Sequence, residues 1–217
     1  MFFIKNLIHI LLNKQISKIY SKRFTNYNNT PKGVFWNNKL SQDLRLNIIL
    51  DKVLVIAQGN HFSLADVGCG YGRLYKLIEE RGLENEISYH GLDINKNFIN
   101  FCKEQLIIKY GTLQTKSIPS ELVDFVIMSG TYNLSPTGST KIWENYIIEN
   151  LKSNWQFVNK AMIFNCLISN TRHIKNNLYY SELSWVKKIC EKNFGEIIIS
   201  KNNFLKDDIT ITIKKLH

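Results

Sequence analysis

From residue 62 onward the chain alternates apolar runs of strand length with stretches of helical period, and this restricts its architecture more than any other feature. Strand candidates at 62–67, 87–93, 106–112, 123–128, 160–168, 196–200 and 208–214 are separated by helical stretches at 72–81, 96–104, 139–158 and 181–193. Strands joined through helices form βαβ units with right-handed crossovers, which predicts a mainly parallel sheet with helices on both faces. The last two runs depart from the rule. Only KNNFLKD lies between them, short enough for a hairpin, so the seventh strand is expected to run antiparallel to its neighbour.

The segment before this alternation has a different character. Within 2–20, Ile4, Leu7, Ile8, Leu11, Leu12, Ile16 and Ile19 recur at helical spacing, with Lys5, His9, Asn13, Lys14 and Lys18 mostly on the other side. A polar, turn-rich stretch with Pro31 and Gly33 leads to a second predicted helix at 40–57. We therefore divide the chain into an N-terminal helical arm or lid, 1–57, and a main α/β domain, 58–217. Packing of the amphipathic stripe onto that domain is the favoured reading, and peripheral contact with a membrane surface is the alternative.

Charge follows the same division. The chain carries a net charge of +10, yet residues 1–40 hold seven Lys and Arg and no acid, leaving 21 basic against 18 acidic side chains elsewhere. The basicity belongs to the arm, and a main domain so nearly neutral argues against a nucleic-acid partner. Cys69, Cys102, Cys166 and Cys190 are far apart with no CxxC pair, and the five histidines are scattered, so neither a metal site nor a disulfide framework is expected. This usage suits a reducing, cytoplasmic setting, with peripheral membrane attachment through the arm as the variant reading.

The sharpest local signal is ADVGCGYGR at 65–73, where an apolar strand ends in an acid, Asp66, and a turn runs through Gly68, Cys69, Gly70 and Gly72 into a helix. Backbone N–H groups at such a turn, with no Cβ in the way, allow close approach of a ligand. The dinucleotide fingerprint GxGxxG requires a small residue where this chain has Arg73, so a nicotinamide or flavin is disfavoured.

The GxGxG spacing behind an acid resembles motif I of the class I S-adenosylmethionine-dependent methyltransferases. Two further segments fit the same family. YHGLDI ends a strand in Asp93, which that resemblance would place on the two ribose hydroxyls of S-adenosyl-L-methionine, with Ile94 on the adenine face. DFVIMSGTYN ends the fourth strand on Ser129 and Gly130, beside where the reactive methyl would lie. The implied fold is Rossmann-like: a seven-stranded, mostly parallel sheet with helices on both faces and a C-terminal antiparallel hairpin, preceded by the helical arm. The acid that many members place after the third strand for the adenine amino group is lacking in KYGTLQTKS, leaving the backbone of Thr112 and Leu113 for that contact.

On the acceptor side, SGTYN offers Tyr132 and Asn133, the fifth strand offers Asn165, and these three are the candidate catalytic residues, with His173 in the following loop. TPKGVFWNNKLSQDLR at 30–45 resembles small bacterial methyltransferases of ill-defined substrate, some associated with surface-polysaccharide clusters. That likeness would set Trp36 and Arg45 at the cofactor mouth, the Arg meeting the methionine carboxylate. Trp143, Trp155 and Trp185 read as packing residues. The resulting expectation is methyl transfer to a small polar molecule or a saccharide. The rivals are an RNA methyltransferase using the basic arm and a module that binds the cofactor without turnover.

Overall fold

A computed structural model describes residues 2–215, with side chains described from Leu7 onward, so Ile4 and Lys5 of the amphipathic stripe lie outside the described side chains. Helix α1 (Phe2–Tyr27), a short 3-10 turn (Pro31–Val34) and α2 (Lys39–Ala57) precede β1 (Phe62–Val67) and α3 (Arg73–Glu80). Then follow β2 (Ile87–Leu92), α4 (Lys96–Gln105), β3 (Gly111–Gln114), β4 (Val123–Met128), α5 (Thr140–Trp155) and β5 (Val158–Leu167). The chain ends with β6 (His173–Lys175), β7 (Leu178–Tyr180), α6 (Leu183–Phe194), β8 (Ile197–Lys201) and β9 (Asp208–Lys214).

Seven of the strands form one sheet in the order β3-β2-β1-β4-β5-β9-β8. The first five are parallel, while β9 inserts antiparallel between β5 and β8. Both faces of the central strands are covered, which is why those strands read as continuous apolar runs. Phe62, Leu64, Phe125, Ile127, Ala161 and Ile163 point toward α2 and α3. Ala65, Val67, Val126, Met128, Met162 and Phe164 point toward α1, α5 and α6. Trp143 is wholly buried and Trp155 and Trp185 pack against the same layer, as expected of packing residues.

One strand expectation is corrected. The third strand lies at 111–114 instead of 106–112, because Leu106 anchors the end of α4 with its N–H on the Cys102 carbonyl, and Ile107 is exposed. At the sheet edge β3 has little apolar demand, so its own sequence gives a weak signal. The small β6–β7 hairpin escapes sequence reading altogether; it turns through Asn176 and Asn177, both at positive φ, a turn chemistry that Asn-Asn permits.

The N-terminal segment packs against the main domain. Leu12 and Ile16 of α1 are buried, Tyr20 and Phe24 meet Phe98 of α4 edge-on, and Tyr146 of α5 donates to Asn13 at 2.7 Å. Helix α2, capped at its start by the Asn38 side chain on the Ser41 N–H, contributes the fully buried Ile49, Leu50 and Val53 to the core. No helix among the described residues is long and apolar enough to cross a membrane.

Candidate active site

Parallel pairing brings the C-terminal ends of β1, β2 and β4 to one edge of the sheet, with Asp66 opposite Gly91 on one side and Ile127 on the other. The N–H groups of Gly68 and Cys69 donate to the Leu92 carbonyl at 2.7 and 3.0 Å, pinning the glycine turn to the end of β2. The Gly70 N–H then donates to Asp93 Oδ2 at 3.0 Å, and the Asn95 N–H to Asp93 Oδ1 at 2.8 Å. Gly68 is at φ +83°, and a Cβ there would lie 2.9 Å from the Thr131 hydroxyl, so only glycine fits.

Beneath the turn, Asp66 is buried and accepts the Tyr89 hydroxyl at 2.8 Å. Burial pushes its carboxyl up to about 7, the Tyr89 bond opposing and the nearby Asp93 adding to the rise. Burial likewise raises Asp93 to about 6, against the two backbone bonds that favour its charged form.

These groups line a cavity that opens to solvent. Of the sequence-predicted cofactor residues, Asp66, Gly68, Cys69 and Gly70 form its floor, Asp93 and Ile94 one wall, and Ser129 and Gly130 the opposite end. Ile16, Tyr20, Val34 and Trp36 close over it from the N-terminal segment. The N-terminal segment approaches the glycines closely: a Cβ on Gly70 would lie 3.1 Å from Val34, and one on Gly130 would lie 2.5 Å from the Trp36 ring.

The remaining predicted residues are placed elsewhere. Gly72 starts α3 and faces Leu106 and Cys102 of the α4 end, outside the cavity lining, because its missing Cβ makes room for helix packing. Arg45 is absent from this cavity but borders the second one, described below; its Nε pairs with Asp208 at 2.8 Å and its guanidinium lies 4.7 Å from the Trp36 ring centre. Asn165 is fully buried, accepts the Gly130 N–H at 2.7 Å and donates to Asp208 at 3.1 Å. It positions the end of β4 and cannot itself reach a substrate. Tyr132 is turned into the core with its hydroxyl on Asn150 at 2.6 Å, and burial raises its phenol well above the usual range, so it is neither exposed nor a base.

Asn133 lines a second, open cavity that shares Tyr20, Val34, Trp36 and Gly130 with the first and is walled further by Arg45, Tyr180, Phe204 and Lys206. Its Oδ1 is buried without a hydrogen-bond partner. His173 stacks on Tyr180, outside the lining of both cavities. Thr112 faces His90 and, like Leu113, lies away from the first cavity, whereas Lys116 and Ser117 border it. Sequence reasoning missed Tyr20, Val34, Thr131, Lys116 and Ser117. SGTYN contains Thr131, so its position beside Gly130 was the available signal; the others meet the site only through tertiary packing.

Residues 65–140 match the family described as "Methyltransferase domain", a span that runs from the strand before the glycine turn to the start of α5. Over that span, which holds the glycine turn, Asp93 and the end of β4, the chain is similar to methyltransferase domains. A curated relative from Mycobacterium tuberculosis, "Putative methyltransferase Rv1506c", is 21% identical over 167 residues, covering 74% of this chain and 98% of its own. Among solved structures, a SAM-dependent methyltransferase of Leishmania major aligns with TM-score 0.67 at 13% identity, over 90% of this chain and 82% of that one. The plantazolicin methyltransferase BpumL, solved with a desmethyl plantazolicin analog and S-adenosylhomocysteine, aligns with TM-score 0.63 at 12% identity over the full length of both chains.

The residues of the first cavity fit S-adenosyl-L-methionine on grounds of their own. Glycines at 68 and 70 leave backbone exposed, the Asp93 carboxylate has a lone pair to spare on each oxygen beyond its backbone bonds, and the Ser129 hydroxyl is buried without a partner.

Proposed function

We propose that this chain is an S-adenosylmethionine-dependent methyltransferase that modifies a small polar molecule or a saccharide held in the cavity that Asn133 lines. The observation that carries this reading is the shared lining: Trp36 and Gly130 border both cavities, so a molecule in one lies next to a molecule in the other at Trp36 and the end of β4. In this reading Asp93 accepts the ribose hydroxyls, Ile94 packs on the adenine and the turn at Gly68–Cys69–Gly70 approaches the amino-acid part of the cofactor. Asp66 and Ser129 supply polar contacts on either side.

When bound, the cofactor supplies an activated methyl electrophile, so the protein's task is chiefly alignment, and alignment alone can contribute roughly 7–11 kcal/mol. Asn133 orients the acceptor through its amide, while Trp36 excludes water from the passage between the cavities. Arg45 and Asn165 act indirectly, by holding Trp36 and Gly130 through Asp208. Residues 1–57 form the arm and lid, and 58–217 the cofactor-binding domain.

Asn133 and Tyr180 offer neutral hydrogen-bonding groups at the acceptor cavity beside the charged Arg45, Lys206 and Asp207, a mixed lining that suits a polar acceptor. Labelled S-adenosylmethionine supplied to a cell extract tests this, with the extract then divided into nucleic acid, protein and small-molecule or glycolipid fractions. Label in the small-molecule or glycolipid fraction supports the reading. Label that enters RNA and is released by nuclease overturns it.

A further inference from the structure

The packing of α1 uses only one side of that helix. Leu12, Ile16, Tyr20 and Phe24 face the domain, whereas Leu7, Ile10 and Leu11, each about half exposed, lie on the outer side with the exposed Lys14, Lys18 and Lys22 on the same stripe. At the base of this stripe Ile8 borders a shallow apolar cavity with Ile142 of α5, itself 40% exposed, so the aliphatic patch spans two helices. His9 and, from α5, Glu149 border the same cavity, and residues 1–40 contribute no acid.

We propose that this outer face of α1 docks the enzyme on an anionic lipid surface. Aliphatic side chains at the first turns enter the boundary between headgroups and acyl chains, and the lysines of the following turns rest among negatively charged headgroups. Each alternative occupant answers only half of the surface. Nucleic-acid phosphates match Lys14, Lys18 and Lys22 but gain nothing from Leu7, Ile10 and Leu11. A second copy matches the aliphatics but brings two acid-free basic helices into one interface. An anionic membrane matches both, and the inference holds whatever the acceptor is.

Co-sedimentation of the full chain with vesicles tests it, comparing phosphatidylcholine alone with phosphatidylcholine mixed with phosphatidylglycerol. We expect binding to the mixed vesicles that falls as salt rises. The triple variant Lys14→Gln, Lys18→Gln, Lys22→Gln should weaken partitioning by ~100-fold, and Leu7→Ser with Leu11→Ser should abolish it. Both variants alter exposed positions, and unchanged S-adenosylhomocysteine binding verifies their folding. The proposal is overturned if the chain ignores mixed vesicles, or if Leu7→Ser with Leu11→Ser leaves vesicle binding intact. Conversion of a dimer to a monomer by that variant, without any vesicle binding, would assign the face to a second copy instead.

Discussion

Asp93 Oδ2 accepts the Gly70 N–H at 3.0 Å, so the acid that ends β2 and the glycine turn that follows β1 are held as one unit. Burial raises this carboxyl to about 6, and hydroxyl donors of a ribose bind its ionised form best. Affinity for S-adenosylhomocysteine is therefore expected to rise with pH through about 6, with proton release on binding below that pH. Calorimetry at several pH values, in buffers of different ionisation enthalpy, checks both; tighter binding at pH 5 than at pH 8 would refute the assignment.

Asp66 gives a stability prediction of definite sign. Its folded carboxyl, near 7, lies above its ordinary value of 3.8, so the group favours the fold while protonated and that contribution is lost as pH climbs from about 4 through about 7. The rise corresponds to roughly 4 kcal/mol at most. Ligand-free Asp66→Asn should accordingly unfold at higher urea than the parent at pH 7.5, with the gap closing toward pH 4.

The Arg45 to Asp208 pair is the main departure from the methionine-carboxylate role that the sequence resemblance implied. Both partners are largely buried, and Asp208 is held further by Asn165. Arg45→Ala leaves an uncompensated buried charge and is expected to cost about 3–5 kcal/mol in chemical denaturation. Cofactor affinity of the folded fraction should fall less than in Asp93→Ala, because Arg45 reaches the first cavity only through Trp36.

Tyr132 and Asn133 are adjacent in sequence but differ in consequence. Tyr132→Phe removes a core hydrogen bond to Asn150 and should lower stability by about 1 kcal/mol with kcat intact. Asn133→Ala should lower kcat while leaving cofactor affinity and stability nearly unchanged. Steady-state kinetics beside thermal unfolding separates the two.

The contrast shows what sequence conveys here. The parallel core, the hairpin end and the turn at Gly68 and Gly70 were legible because burial on both faces and backbone approach each demand particular residues at fixed spacing. Orientation at the end of β4 was not legible: SGTYN specifies a turn but not that Tyr132 points inward and Asn133 toward the second cavity. Likewise, Arg45 is 163 positions from Asp208, and no local pattern links them. Val34 and Trp36 meet the glycines only because α1 and α2 pack on opposite faces of the sheet and the segment joining them crosses its edge.

The most direct test of the account is calorimetric titration of S-adenosylhomocysteine into the parent protein and into Asp93→Ala. The account predicts one site per chain and a loss of roughly tenfold to a hundredfold on substitution, as for hydrogen bonds to a charged group. Unchanged affinity in the variant, or binding of NADH in place of the sulfonium cofactor's product, would contradict it.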